Sequence, residues 1–453
     1  MVRPSSASMA AYPRRCIRRA MGQRRKTVAS GRRVRVAENR DARVGKPPSP
    51  RLGGQWIFDP ARLGTEIARV RRSMASIDFD RAPMLLFWET TRACTLACRH
   101  CRAEAVARPL PGELTMAEGR RLLDDAASFT PRPPVIVFTG GDPFMRADIF
   151  ALAEHARMRG LPIGFAPSVT PLLTREVARW MSAVGAKTVS ISLDGACPET
   201  HEGVRGIQDH FARTEAAVRM LLDGGHTVQI NTTVMRSNVE ELPDLAALVA
   251  EWGAHIWEVF FLVRVGRGTE LGELSAAENE DVVHFLYEAA GHRFIVRTVE
   301  APFFRRVVAE RAAMPAGADP GEHFGLGDLY RQLSAGLRAR LGPPGRSRAQ
   351  SVGTRDGKGI VFVSHDGDVY PAGFLPIALG NVRTRSIVDV YRDDPLLRAI
   401  RAGRFGGRCG ECDYADRCGG SRARAFATSG DALGEDPACS WPRIADPGFP
   451  SMR

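Results

Sequence analysis

From residue 84 onward, short runs of β-branched and aromatic residues alternate with longer stretches whose apolar positions return every three or four residues. The runs MLLFWE (84–89), VIVFTG (135–140), PIGFAPS (162–168), TVSISLDG (188–195), TVQINTTV (227–234) and WEVFFLV (257–263) predict strands, because such side chains fit a pleated surface. The stretches between them predict helices. TMAEGRRLLDDAASF carries Thr115 and Glu118 at capping-box spacing, ADIFALAEHARMRG stops at Gly160 and TREVARWMSAVG at Gly185, and FARTEAAVRMLLDGG and VEELPDLAALVAEWG follow. Six strand–helix units in tandem predict a parallel sheet. Runs such as SISL and VFFLV are apolar on both faces, which suits a sheet covered by helices or curled into a barrel. A further unit, RFIVRTVE then FFRRVVAERAAM, extends the series.

The pattern changes at GPPGRSRAQSVGTRDG (342–357), a Gly/Pro-rich linker. Beyond it GIVFVSHDGDVYP predicts a hairpin turning on Asp366-Gly367, and SIVDVYRDDPLLRAIRAG predicts one helix. The expected organisation is a disordered basic tail at 1–51, a core domain at 80–315, a helical insertion and linker at 316–357, and a small domain at 358–453. The last holds too little apolar material to fold unaided, so a metal centre is expected to supply part of its stability.

A formal charge of +12 signals nucleic acid only if the folded part carries it. It does not: residues 1–51 hold fifteen Lys/Arg against Glu38 and Asp41, and residues 52–453 carry a net −1. The basic block has few apolar residues and repels itself, so disorder is its expected state. A start upstream of the natural one, with Met74 or Met84 nearer the beginning, a solvated tail, a transit peptide and a nucleic-acid arm all fit such a segment. No window reaches the roughly 18 apolar residues of a membrane span, and the N-terminus has no secretory apolar core. A cytoplasmic protein without membrane or nucleic-acid partners is expected.

Cys16 lies in the tail and Cys197 stands alone, expected as a buried bystander; the other cysteines fall into Cys94, Cys98, Cys101 and Cys409, Cys412, Cys418, Cys439. Local clusters without a secretory signal argue for metal rather than disulfides. Three thiolates on the short loop TRACTLACRHCRAEA would leave a metal one ligand short, whereas structural zinc closes its shell with four. Zinc with His100 as fourth ligand is the alternative at this loop. Distinctive residues recur where parallel folds gather chemistry, at the carboxyl ends of predicted strands: the cysteine loop, TGGDP, APSVTP, SLDG and NTT.

Cys94-x3-Cys98-x2-Cys101 after the first strand of such an array, with TGGDP after the second, resembles the signature of radical S-adenosylmethionine (SAM) enzymes. The resemblance spans about residues 80–442. It implies an α/β fold, a partial (β/α)6 parallel barrel of the radical SAM type with a small C-terminal iron–sulfur domain. It also implies a [4Fe-4S] cluster on the three cysteines, its open iron chelated by SAM, whose reductive cleavage gives a 5′-deoxyadenosyl radical. By the same resemblance His100 lies near the adenine. Gly140, Gly141, Asp142 and Pro143 match the GGEP segment whose backbone receives the methionyl ammonium, with Asp in place of Glu. Ser168, Ser192 and Asp194 face the ribose and carboxylate of SAM, and Arg205 lies near that carboxylate. Plainer readings stand beside these: an ordinary turn at Gly140-Gly141, a strand cap at Ser192, a surface ion pair at Arg205. No catalytic residue is singled out.

The C-terminal cysteines resemble the auxiliary-cluster domains called SPASM or Twitch. The full SPASM pattern has seven cysteines; here Ala372 or Gly373 and Ser421 stand near places where relatives have further ones. One auxiliary [4Fe-4S] cluster with complete cysteine ligation is therefore implied, with zinc on the same thiolates as the alternative. DFDRAPMLLFWETTRACTLACRHCRAEA and CGGSRARA look closest to the haem-pathway branch, whose members oxidise or remove side chains of iron porphyrins. The implied function is a radical SAM oxidoreductase abstracting hydrogen from a small molecule such as a tetrapyrrole, served by a flavodoxin- or ferredoxin-type reductant. A peptide maturase with the same domain plan is the alternative enzyme; no separate peptide-recognition domain is evident. An iron–sulfur or zinc protein that binds nucleic acid through its tail is the alternative from another class. Arg264, Arg267 and Arg355 offer guanidinium groups for substrate carboxylates.

Overall fold

The computed structural model describes residues 78–349 and 353–441; the basic tail and Met74 lie outside them. Strands β1 (Leu85–Glu89), β2 (Val135–Thr139), β3 (Ile163–Phe165), β4 (Thr188–Ser192), β5 (Thr227–Val234), β6 (Ile256–Phe261) and β7 (Ile295–Val299) pair in chain order, every neighbour parallel. The connections run through α1 (Met116–Ala127), α2 (Ile149–Met158), α3 (Arg175–Ala183), α4 (Pro198–Arg205), α5 (His210–Asp223), α6 (Leu242–Trp252) and α7 (Ala276–Ala289). The capping box forms at α1: Glu118 N–H donates to Thr115 Oγ1 at 3.3 Å and Thr115 N–H to Glu118 Oε2 at 2.7 Å.

Alternation along the strands gives the sheet two unlike faces. In β1 and β2 the residues Leu86, Trp88, Ile136 and Phe138 are fully buried, Trp88 against Gly119 of α1 and Phe138 stacked with Phe165 at 5.2 Å. Their neighbours Leu85, Phe87, Val135, Val137 and Thr139 are half-buried. The strands are apolar throughout, yet only one face is sealed; the other lines the inside of an open curve.

After α8 (Phe304–Ala313), α9 (Pro320–His323) and α10 (Asp328–Leu341), the chain returns to the sheet. β8 (Ile360–Val363) pairs parallel with β1, Leu85 opposite Ile360, and turns at Gly367 (φ +91°) into antiparallel β9 (Asp368–Tyr370), followed by β10 (Gly380–Asn381). The order is β10-β9-β8-β1-β2-β3-β4-β5-β6-β7, so the sheet is not closed and the barrel is partial. The expected hairpin is present, and it extends the sheet. The expected single helix after it is two, α11 (Ile387–Asp393) and α12 (Pro395–Arg401). Pro395 has no N–H to continue α11 and holds Asp394 extended, and the Asp394 carboxylate caps Leu396 and Leu397 at 2.9 and 3.1 Å. α13 (Gly407–Glu411) and α14 (Arg422–Ser429) complete the described chain. Among the described residues no helix is long and apolar enough to cross a membrane.

Candidate active site and metal centres

The loop after β1 is held by backbone on both sides. Cys94 N–H donates to Val106 O at 2.8 Å, while Gly141 and Asp142 N–H groups donate to Thr91 O and Ala93 O at 2.9 and 2.7 Å. The glycines are there for closeness. A Cβ on Gly140, which sits at φ +143°, would lie 2.3 Å from Thr91 O, and one on Gly141 2.2 Å from Ala93 O. Asp142 turns inward: its carboxylate caps Phe144 N at 3.2 Å, accepts from Thr170 Oγ1 at 2.7 Å, and starts the turn led by Pro143. Burial raises its pKa. The aspartate in place of glutamate thus serves the loop's shape.

Around the three sulfurs the structure gathers the residues read from the sequence. Ser168 Oγ lies 3.4 Å from Cys94 Sγ and donates to Gly141 O at 2.9 Å. Arg205 is buried rather than at the surface; its Nη1 approaches Cys98 Sγ at 3.5 Å and its Nη2 pairs with Asp194. His100 Nε2 lies 3.3 Å from the same carboxylate, and Thr233 N–H donates to its other oxygen at 2.8 Å. Burial opposes the Asp194 charge, but Arg205 and His100 hold its pKa well below the usual carboxylate range. Ser192 closes β4 opposite Asn231 of β5 and has no hydrogen bond to the cysteine loop.

Sequence reasoning missed what stands behind Asp194. Its N–H donates to His201 Nδ1 at 3.1 Å, which leaves the His201 proton on Nε2, 2.8 Å from His210 Nδ1; His210 Nε2 then donates to Val169 O at 3.1 Å. This one-way chain needs both rings neutral. Burial and the Arg205 charge accordingly lower their pKa values to about 3 and about 4. Also missed was Glu89 at the end of β1, paired with Arg102 at 3.3 Å and His365 at 3.2 Å, Arg102 lying over the Phe362 ring where Gly373 leaves room. Glu89 and His365 are 276 positions apart, and the histidine chain depends on which ring nitrogen faces which neighbour, so no sequence pattern reveals them.

The three arginines weighed for substrate carboxylates each hold backbone carbonyls. Arg264 donates to Thr269 O at 3.0 Å, Arg267 to Cys98 O at 2.9 Å, and Arg355 to Ala415 O and Cys418 O at 3.0 and 2.9 Å. Buried polar atoms without a hydrogen-bond partner cluster at the loop: His100 Nδ1, Arg205 Nε and Arg267 Nη2. Thiols beside unspent guanidinium N–H groups fit an anionic thiolate cluster together with a carboxylate-bearing ligand.

At the C-terminal end, Cys409 Sγ accepts from Asp436 N–H at 3.4 Å and Arg422 Nη2 at 3.7 Å, Cys412 Sγ from Tyr414 N–H at 3.4 Å, and Cys418 Sγ from Gly420 N–H at 3.5 Å. Burial pushes Cys418 up to about 11 and Cys439 up to about 12. Tetrahedral zinc, with Zn–S bonds of about 2.3 Å, requires its sulfurs to converge within roughly 4 Å of one another. Among the described residues the trio of metal-type ligand atoms within 4.8 Å of one another is Glu280, His284 and Glu310, not a cysteine set. The Glu280 trio is an ion-pair network: Arg306 donates to Glu310 at 2.7 Å and also to Glu280. Cys197 is buried, 3.6 Å from Thr200 Oγ1, as expected of a bystander.

Comparison with known proteins agrees with this arrangement. Residues 88–249 match the radical SAM superfamily, and residues 355–413 match the SPASM iron–sulfur cluster-binding domain. The AdoMet-dependent heme synthase of Nitratidesulfovibrio vulgaris is 36% identical over 368 residues, covering 80% of this chain and 94% of that protein. The AdoMet-dependent heme synthase of Methanosarcina barkeri is 34% identical, covering 80% of this chain and 98% of that protein. In fold, the chain resembles Streptococcus suis SuiB bound to S-adenosylmethionine, with a TM-score of 0.57 at 15% identity over 85% of this chain and 84% of that one. With the first cysteine loop and Cys409 and Cys412 inside these family matches, the chain belongs to the radical SAM superfamily, in its haem-pathway branch, and is an enzyme of SAM and [4Fe-4S] clusters.

Proposed function

We propose that Cys94, Cys98 and Cys101 hold the cluster that offers an iron to SAM, that Cys409, Cys412, Cys418 and Cys439 hold an auxiliary [4Fe-4S] cluster, and that the substrate is an iron porphyrin whose propionates are oxidatively decarboxylated. The observation that carries the substrate reading is the likeness to AdoMet-dependent heme synthases over 80% of the chain. When bound, SAM supplies a 5′-deoxyadenosyl radical that takes a hydrogen atom from a substrate carbon, ending as 5′-deoxyadenosine. A propionate that loses one β-hydrogen atom, CO2 and one electron becomes a vinyl group, so atoms and charge balance if the protein takes the electron.

The chain's own residues bind and orient. Gly140 and Gly141 bring backbone against the cysteine loop, and Arg267 fixes the Cys98 and Cys101 carbonyls through its side chain and its N–H. Arg205, paired with Asp194, places positive charge beside the thiolates where a carboxylate would dock, with His100 on the same aspartate. A flavodoxin- or ferredoxin-type protein delivers the electron for each cleavage, in the cytoplasm.

The test is anaerobic turnover of the reconstituted enzyme with SAM, a low-potential reductant and iron coproporphyrin III. Vinyl-bearing product should accumulate with 5′-deoxyadenosine. SAM cleavage with unchanged porphyrin sinks the substrate reading, and turnover of a cysteine-containing peptide in its place moves the enzyme to the maturases.

A further inference from the structure

Just past β7, Glu300 adopts φ +57°, a left-handed conformation uncommon outside glycine, and its carboxyl is buried. It accepts from the Ser421 hydroxyl and shares a side-chain hydrogen bond with Asp356, which is buried too and accepts Ala423 N–H at 3.0 Å. Two carboxyl groups in contact away from water do not both ionise, so a proton bridges them. Burial and the Asp356 charge push Glu300 well above the carboxylate range, and burial raises Asp356.

The surroundings tie this pair to the auxiliary cysteines. Gly420 N–H reaches Cys418 Sγ, Ser421 caps α14 and holds Glu300, Arg422 reaches Cys409 Sγ, and Ala423 N–H holds Asp356. Four consecutive residues thus touch sulfur and carboxyl alternately. The charged groups facing the pair are Arg422 and Arg424 of α14, Arg305 of α8, Asp436 from the segment after α14, and Glu273 ahead of α7 through Arg424. Arg424 donates to Glu300 O at 2.9 Å and pairs with Asp436 at 3.3 Å.

We propose that the Glu300–Asp356 pair is the proton partner of the auxiliary cluster, gaining one proton when the cluster gains one electron and releasing it on reoxidation. This rests on the assignment of that cluster to Cys409, Cys412, Cys418 and Cys439. The electron comes from the substrate radical, or from dithionite in a titration, and the proton from solvent; both leave together. An added negative charge at short range in a weakly screened interior raises proton affinity, and the bound proton in turn eases the electron's arrival.

The experiment uses the full chain carrying Cys94→Ala, Cys98→Ala and Cys101→Ala, so that one cluster remains, titrated with dithionite under electron paramagnetic resonance from about pH 6 to about pH 9. Each tenfold fall in proton activity should lower the midpoint potential by about 59 mV within the coupled window. Glu300→Gln and Asp356→Asn, close in shape to the originals, should each flatten that slope while keeping the cluster signal. A flat profile in the parent, or a slope surviving both substitutions, overturns the coupling and leaves the cluster assignment standing. No C-terminal cluster signal in the parent overturns both.

Discussion

The two cysteine-bearing regions each set an arginine against a sulfur but differ in what surrounds it. Beside Cys94, Cys98 and Cys101 the neighbours are glycine backbone and the cationic or neutral donors of Arg205, Arg267 and His100, several of them unspent. Beside Cys409 and Cys418 the neighbours are Arg422 and the backbone N–H groups of Asp436 and Gly420, and the buried acids one step away, Asp436, Glu300 and Asp356, are each answered by arginine, serine or backbone. The first region keeps open donors beside its sulfurs, while in the second the buried carboxyls are paired within the protein.

Replacing Cys94, Cys98 and Cys101 together by alanine should break the contrast most. SAM cleavage should fall to background in a 5′-deoxyadenosine assay while iron on the C-terminal cysteines persists. Cys439→Ala should do the reverse, sparing SAM cleavage and lowering porphyrin oxidation. Equal loss of cleavage in both variants would show that the two regions are not separable. Arg205→Ala leaves Asp194 buried without its guanidinium, and removing one partner of a buried pair costs about 3–5 kcal/mol, readable as a fall in Tm. Gly141→Ala drives a methyl group into Ala93 O and should cost about 1–3 kcal/mol with weakened SAM binding, whereas alanine at exposed Gly203, with open space around it and no positive φ, should cost less.

The histidine pair behind Asp194 adds acid sensitivity. His201 and His210 stay neutral in the fold, at about 3 and about 4, while their unfolded counterparts take up protons below about 6.5. Their stabilising contribution is intact above pH 6.5 and is lost as pH falls toward 4. Each histidine adds a slope of up to about 1.4 kcal/mol per pH unit there. Thermal unfolding between pH 7 and pH 5, set against His210→Gln, checks it; an unchanged slope in the variant removes His210 from the account.

What could be read in advance was what the chain writes locally. The strands, the Thr115–Glu118 cap, the cysteine spacings and GGDP each need fewer than a dozen consecutive residues. Pro395 was equally local, and it splits a helix that periodicity alone makes continuous. The pairing of β8 with β1 joins residues some 275 positions apart, and the Glu300–Asp356–Ser421–Asp436 network closes only when four distant segments meet. Arg205 and Asp194 were found by position, but their ion pair and the histidine chain behind it were not, because hydrogen-bond direction is a property of assembled neighbours.

The place of β8 also bears on synthesis. Until Ile360–Val363 has left the ribosome, the outer edge of β1 has no strand to satisfy its N–H and C=O groups, although everything needed for β1 to β7 has already been made. An open edge of Leu-Leu-Phe-Trp is a template for pairing with another nascent chain. Truncation products ending near residue 350 should therefore aggregate, and a chaperone that shields that edge has a defined interval in which to act.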